Sequence, residues 1–348
     1  MTDDRIELFL QEFKECYYKA SGKEEQNISI RLGSEHAKLH FSNQHIAEKM
    51  SRSLAHLKAP SESVVLNTLS VFCFEGNLSP FSFPWTPADF EVQGLIKGMN
   101  TDRFQTIYQH GSGAIILFDQ LRKEGFYYID SATNIPYWEV SFPFRTLFHW
   151  WTRDTPYQLL HAGGIGDISS SMIITGKSGS GKSSTCLSSL LHQQLFLAGD
   201  DYVLIDTQKG ILYSLYNCVK IEWGNLERLN FLKKLTDTKF KDADKAMIFV
   251  NERCSEKILT HSELHYSFIP VISREGKTKV IESNPAEALK SIAPTTLFQL
   301  PLIRTEAFGK CVALVKRLRT YQVMLGTDPG EIAETLYVFL NKDGLNRV

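Results

Sequence analysis

The sequence predicts a mixed α/β fold for the C-terminal part of the chain and an α+β domain before it. In residues 144–348, short apolar runs of strand length follow one another irregularly, and several have no helical run after them. A doubly wound sheet would place a helix after each strand, so a mixed sheet fits this pattern better. In residues 1–143, one amphipathic helical run precedes several aromatic strand-like runs. We therefore predict domains at 1–143 and 144–348.

The individual elements follow from the spacing of the apolar residues. In the first domain we predict a helix whose buried face consists of Ile6, Phe9, Leu10, Phe13 and Tyr17. Strands are predicted there at 28–32, 38–41, 113–119 and 125–130, and a helix at 144–152 bridges the two domains. In the second domain we predict strands at 158–163, 172–175, 195–198, 202–206, 246–250 and 267–272. The helices predicted in that domain are 182–192, 224–235, 285–292, 305–318 and 330–340.

Composition and charge argue against several classes of function. The 348 residues carry 38 Lys and Arg against 39 Asp and Glu, a net charge of −1, so no global field draws the chain to nucleic acid or anionic lipid. The six cysteines follow no zinc or disulfide spacing. The N-terminus is unlike a signal peptide, and no apolar run reaches the roughly 18 residues of a membrane span. We expect a soluble cytoplasmic protein without nucleic-acid or membrane partners, and a homo-oligomer stays open.

A glycine-rich loop between an apolar strand and a helical run predicts nucleotide binding. Residues 176–183 fit the pattern G-x-x-x-x-G-K-[ST], in which glycines let successive backbone N–H groups turn toward an anion. Lys182 would reach the β- and γ-phosphates, and the Ser183 hydroxyl would ligate Mg²⁺. A Gly/Ser turn ahead of a core helix is the alternative. The predicted contacts of ATP are Gly176, Lys177, Ser178, Gly179, Ser180, Gly181, Lys182, Ser183 and Ser184.

Two adjacent carboxylates follow this loop. Asp200 and Asp201 stand after Gly199, at the break between two apolar strands. One carboxylate can hold Mg²⁺ while the other accepts the proton of an incoming hydroxyl, which is the division of labour that phosphoryl transfer to an alcohol needs. A solvated Gly-Asp-Asp turn is the alternative.

A histidine precedes the loop at the end of a predicted strand. His161 lies fifteen positions before Gly176. By itself it would be read as a core histidine. Near a γ-phosphate it would instead orient a carboxylate or stabilise charge during transfer.

These three features together resemble the HPr kinase/phosphorylase family and its related serine kinases, whose nucleotide domain is similar to that of phosphoenolpyruvate carboxykinase. The features are His161, the loop from Gly176 to Ser183, and the Asp200–Asp201 pair, in that order and spacing. The resemblance covers about residues 145–340. It implies a P-loop kinase domain in which Asp200 takes the proton of a serine hydroxyl and Asp201 contacts Mg²⁺.

The family's glycine- and arginine-bearing segment after the Asp pair is not evident here. Residues 213–222 stand in its place and look like the version found in family members of uncertain substrate. Lys220 would contact a phosphate and Glu222 a metal, although an exposed pair at a strand end explains both equally well. Arg304, in the later part of this domain, is the one further basic residue of interest.

The expected function is transfer of the γ-phosphate of ATP, with Mg²⁺, to a hydroxyl of a peptide, protein or small molecule. Asp200, His161 and Lys182 are the predicted catalytic residues, and Ser183, Asp201 and Glu222 are the predicted metal ligands. Two other functions remain open: an ATPase that drives a switch, and an inactive module that binds nucleotide and a partner. The first domain shows no chemistry, and we expect it to recognise the substrate or a partner.

Overall fold

The computed structural model describes residues 2–60, 68–79, 81–237, 244–273 and 276–345, and the chain divides into two compact units. The first unit runs to Asp154 and also includes Pro301–Ile303, and the second contains the remainder from Thr155 onward. The indole N–H of Trp150 donates to the carbonyl of Pro301 at 2.9 Å, which helps to explain why that short segment belongs to the first unit. The predicted boundary at 143/144 lies eleven residues before this division.

The first unit contains one six-stranded sheet with the order β1-β2-β3-β6-β5-β4. The β2–β3 and β3–β6 pairs are parallel, and the other pairs are antiparallel. Its strands are β1 (Gln26–Leu32), β2 (Glu35–Phe41), β3 (Leu69–Glu75), β4 (Phe104–Gln109), β5 (Ala114–Asp119) and β6 (Glu124–Ile129). Its helices are α1 (Asp3–Ser21), α2 (Gln44–Ser51), α3 (Tyr137–Ser141) and α4 (Arg145–Trp151).

Helix α1 buries the apolar face that its sequence predicts. Ile6, Phe13 and Tyr17 are fully buried in a cluster with Phe72 and Phe74 of β3. The half-buried rings of Phe81, Phe83 and Trp85 pack against the same helix through Phe9. These aromatic residues therefore contribute to the core of the first unit.

The second unit is a mixed sheet flanked by helices, as the irregular alternation of elements predicts. Its strands are β7 (Tyr157–Leu160), β8 (Gly163–Gly166), β9 (Ser171–Ile174), β10 (Phe196–Gly199), β11 (Val203–Asp206), β12 (Ile211–Tyr213), β13 (Cys218–Glu222), β14 (Lys245–Phe249), β15 (His261–Ile272), β16 (Lys279–Glu282) and β17 (Arg319–Leu325). Its helices are α5 (Lys182–Ser188), α6 (Trp223–Arg228), α7 (Val250–Arg253), α8 (Pro285–Gln299), α9 (Arg304–Val315) and α10 (Pro329–Leu345).

The long strand β15 organises this sheet. Its first residues pair with β12, which continues through β11 to β7, and its later residues lie parallel to both β9 and β17. On the other side of β9 the order continues through β8 to β10, and β16 pairs with the far side of β17. Strands β13 and β14 form a separate antiparallel pair.

Helices cover both faces of the sheet because the side chains of its strands alternate between two apolar clusters. Met172 and Ile174 of β9 point into a cluster with α5 and α10, whereas Ile173 points into one with α8 and α9. Helix α8 is longer than predicted and continues to Gln299 with Pro294 inside it. The strands of this unit that were not predicted from the sequence are β8, β12, β13, β16 and β17.

Within the described ranges, no helix combines the length and the apolar character that crossing a membrane requires.

Candidate functional site

The strand order places the three predicted motifs at one edge of the sheet in the second unit. Strands β9 and β10 are both antiparallel to β8, so they run in the same direction and their carboxyl ends share an edge. The glycine loop follows β9, and Asp200 and Asp201 follow β10. Strand β8 begins at this edge, because Gly163 pairs with Ile174, so His161 just before it also lies there.

The glycine loop has backbone torsions that side chains rarely tolerate. The φ angles of Gly176, Gly179 and Gly181 are 142°, 78° and 102°. A methyl group at Gly181 would lie 2.4 Å from Cδ1 of Leu325, and one at Gly176 would lie 2.7 Å from a side-chain oxygen of the loop itself. Glycine is therefore required for both conformation and space, as expected for a loop that wraps an anion.

The remaining loop residues divide into an exposed tip and a buried base. Lys177 and Ser178 are exposed at the tip, where the carbonyl of Lys177 accepts a 3.2 Å hydrogen bond from the backbone of Ser180. Lys182, at the start of α5, is 7% exposed. Ser183 and Ser184 lie half-buried in the first turn of that helix. Lys182 and Ser183, the residues predicted to contact the β- and γ-phosphates and the metal, thus lie at the start of helix α5.

Asp200 is a buried carboxylate whose charge is poorly compensated. It is 1% exposed, and neither of its oxygens completes a hydrogen bond of normal geometry with any group of the described chain. Burial, together with the neighbouring charge of Asp201, raises the pKa of Asp200 to about 7, although the Ser183 hydroxyl and the Lys182 ammonium oppose both effects. A buried carboxylate that lacks such a hydrogen bond within the described residues is a candidate for interaction with a bound ligand.

Asp201 lies in the opposite electrostatic environment. Its Oδ1 is 3.8 Å from Nε2 of His161, and its Oδ2 is 3.5 Å from Nζ of Lys220. Burial alone would favour the neutral acid, but His161 and Lys220 overcome it and hold the pKa of Asp201 well below its usual range. The pKa of Asp200 is therefore raised and that of Asp201 is lowered. Such a divergence between two neighbouring carboxyl groups is typical of acid–base sites.

Helix α8 holds these groups in place, a role that the sequence did not reveal. The Thr296 hydroxyl accepts a 3.2 Å hydrogen bond from the backbone N–H of His161. The Tyr202 hydroxyl donates to Oε1 of Gln299 at 3.0 Å, and its ring lies 5.1 Å from that of His161. In the sequence, the segment around Thr296 and Gln299 shows no obvious chemistry. Only its contacts with distant residues give it this role.

Two glycines outside the loop allow the close approach of the Asp pair. A methyl group at Gly163 would lie 2.1 Å from Sγ of Cys186 in α5 and 3.0 Å from the carbonyl oxygen of Asp200. One at Gly199 would lie 2.8 Å from the carbonyl oxygen of Tyr202. The small residues therefore let α5 and the Gly-Asp-Asp turn pack tightly together.

Glu222 and Arg304, for which the sequence gave weaker evidence of a functional role, are exposed. Glu222 is exposed at the end of β13, two residues beyond Lys220 and on the same strand face. Arg304 is exposed at the start of α9. The sequence left the roles of Lys220 and Arg304 undecided. In the structure, Lys220 contacts Asp201 of the carboxylate pair.

The residues present fit Mg²⁺ held together with a nucleotide. In the part of the chain that the structure describes, no three His, Cys, Asp or Glu side chains form a metal site by themselves. Mg²⁺ bound with nucleotide needs only one or two carboxylates, because phosphates and water complete its shell. The unpartnered oxygens of Asp200 beside Ser183 and the ionised Asp201 supply that donor set.

No protein-family model matches the chain, and a search among curated proteins finds no matching sequence. The resemblance to HPr kinases therefore stays a hypothesis that rests on the order and spacing of its sequence motifs.

Proposed function

We propose that this chain is an ATP- and Mg²⁺-dependent kinase that transfers the γ-phosphate to a hydroxyl group. The observation that carries the proposal is the buried, unpartnered Asp200 at the edge where the glycine loop begins. A module that only held nucleotide would gain nothing from desolvating a carboxylate there, and an ATPase switch would need one metal-binding Asp rather than this divided pair. The family resemblance favours a serine of a peptide or protein as the acceptor.

In the proposed reaction, Asp200 acts as the general base. Its carboxylate takes the proton of the acceptor hydroxyl while the hydroxyl oxygen forms its bond to the γ-phosphorus and the bond from that phosphorus to the bridging oxygen of ADP breaks. A raised pKa makes a carboxylate a more effective base near neutral pH. In the reverse direction the same group, now protonated, returns the proton.

The other residues of the proposed site orient the reacting groups and neutralise the charge of the phosphates. Lys182 balances the negative charge of the β- and γ-phosphates, and the loop amides cradle them. His161 and Lys220 keep Asp201 ionised and fixed, so that it can ligate the metal. Mg²⁺, when bound, neutralises charge that develops on the phosphate oxygens during transfer. We also propose that the second unit has the nucleotide-binding fold of HPr kinases and phosphoenolpyruvate carboxykinase, with the first unit recognising the substrate.

Transfer of label from [γ-³²P]ATP to serine-containing peptides tests the proposal, with the same peptides bearing alanine as acceptor controls. Asp200→Asn should keep ATP binding and lose transfer by roughly 10²–10⁴-fold, the usual contribution of a general base. Asp167→Asn, in the turn between β8 and β9 at the opposite edge of the sheet, is the matched control. Unchanged transfer by Asp200→Asn would refute the assignment of the base.

A metal titration separates the roles of the two carboxylates, because Asp200 rather than Asp201 neighbours Ser183. With Mn²⁺ as the probe in the ATP complex, followed by electron paramagnetic resonance, Asp201→Asn should weaken metal binding more than Asp200→Asn. The opposite order would exchange the two roles, with Asp200 as the ligand and Asp201 as the base.

A further inference from the structure

The parallel strands β15 and β17 lie beside the glycine loop. Strand β9 ends at Ile174, which pairs with Phe268 of β15, but β15 continues for four more residues to Ile272. There Ile272 pairs with Leu325, the last residue of β17. The ends of β15 and β17 therefore form a wall that extends beyond the point where the loop leaves the sheet.

The top of this wall is apolar and touches the loop. A methyl group placed on Gly181 would lie 2.4 Å from Cδ1 of Leu325 and 3.8 Å from Cγ1 of Ile272. Leu325 is 5% exposed and supports Ile272, which is 66% exposed. Strand alternation puts Ile272 on the same face as Phe268, which belongs to the cluster that includes α5. Among the described residues, Ile272 is therefore an apolar side chain that is exposed to solvent beside the glycine loop.

The carboxylates fix the direction of a nucleotide on the loop. Asp200 and Asp201 follow β10, which lies on one side of β9 beyond β8, whereas β15 and β17 lie on the other side. The phosphate that is transferred must lie beside Asp200. The rest of the nucleotide then leaves the loop in the opposite direction, over the ends of β15 and β17, at the carboxyl edge where open α/β sheets bind ligands.

We infer that Ile272, supported by Leu325, is the platform on which the base of the nucleotide rests. This inference depends on the proposed nucleotide site and adds the position and the chemical character of its base contact. An isoleucine side chain offers apolar area but no hydrogen bond, so this contact contributes affinity for adenine and guanine alike.

Hydrogen bonds hold the end of β17, on which Leu325 lies. The hydroxyl of Thr278 donates to Oε2 of Glu331 in α10 and accepts a 3.1 Å hydrogen bond from the backbone N–H of Gly326, directly after Leu325. The backbone N–H of Thr278 donates to the other oxygen of Glu331 at 2.9 Å. The end of β17 is thereby fixed, so the base would meet a preformed surface.

Calorimetric titration of the 348-residue chain with Mg·ATP and with inorganic tripolyphosphate tests this inference, because only ATP carries a base. Ile272→Ser should weaken ATP binding about fivefold and leave tripolyphosphate binding unchanged. Ile168→Ser is the matched control, because Ile168 is 86% exposed in the turn at the opposite edge of the same sheet. Ile272→Phe, which keeps an apolar platform, should bind ATP at least as tightly as the parent chain.

An Ile272→Ser variant with unchanged ATP affinity would overturn the platform, and so would an equal loss of affinity for both ligands. A parent chain that binds ATP no more tightly than tripolyphosphate would also overturn it, while the phosphate loop would stand. If the parent chain binds neither ligand, the proposed nucleotide site fails together with the platform.

Discussion

Replacing Asp200 by Asn should stabilise the protein at alkaline pH and should slow phosphate transfer by roughly 10²–10⁴-fold. In the folded chain, burial raises the pKa of Asp200 from 3.8 to about 7. The unfolded chain therefore loses its proton at a lower pH than the folded chain, and folding becomes less favourable as the pH rises from 3.8 to 7. Asn carries no charge, so the variant does not pay this penalty.

The magnitude follows from the linkage between proton binding and folding. At about 1.4 kcal/mol per pH unit, the penalty on the parent chain is roughly 2 kcal/mol at pH 5 and roughly 4 kcal/mol at pH 8. The buried Asn amide has a cost of its own of about 1–3 kcal/mol, but that cost is the same at both pH values. The stability difference between variant and parent should therefore shift by about 2–3 kcal/mol in favour of Asn from pH 5 to pH 8.

Urea unfolding followed by far-UV circular dichroism, in the absence of nucleotide and metal, measures this shift. Asp167→Asn provides the control for a carboxylate in a turn at the other edge of the sheet. A difference between Asp200→Asn and the parent that is the same at pH 5 and at pH 8 would refute the argument that Asp200 is desolvated at the site. A variant that transfers phosphate as fast as the parent would refute the proposed catalytic role.

Two further predictions concern packing and pH. Gly163→Ala should destabilise the second unit by about 1–3 kcal/mol, because its methyl group would meet Cys186 at 2.1 Å, and adding Cys186→Ala should recover part of the loss. Gly309→Ala, where a methyl group meets nothing within 4 Å inside α9, should instead stabilise by about 0.5–1 kcal/mol. Thermal melts distinguish these outcomes, and additive effects of Gly163→Ala and Cys186→Ala would contradict the clash. Burial lowers the pKa of His56 from 6.5 to about 4, so the unfolded chain takes up this proton first on acidification, and stability should fall by roughly 2 kcal/mol from pH 7 to pH 5. Urea midpoints for the parent and His56→Gln test this, since the variant should lack that part of the fall.

The local features of the site were predictable from the sequence. The strand before the loop and the helix after it are confirmed by β9 and α5, and Asp200 and Asp201 do lie at the break between β10 and β11. These features depend on neighbours in the chain: glycines that allow positive φ, short apolar runs, and a turn between two strands. The predicted helix 285–292 is too short. A proline usually ends a helix, but α8 continues through Pro294 to Gln299, and its last turns make the side-chain contacts of Thr296 and Gln299.

The sequence by itself determined which chemical groups the site contains: a glycine-rich loop with Lys182, two adjacent carboxylates, and a histidine at a strand end. Only the tertiary structure decided which of these groups are buried and which are ion-paired. Asp200 is buried because glycine at position 163 lets α5 close over it, and Asp201 meets Lys220 because β13 reaches the same edge. Burial and pairing depend on residues far apart in the chain. Two neighbouring aspartates that look equivalent in the sequence therefore become a buried carboxyl with a raised pKa and an ion-paired carboxylate only in the folded protein.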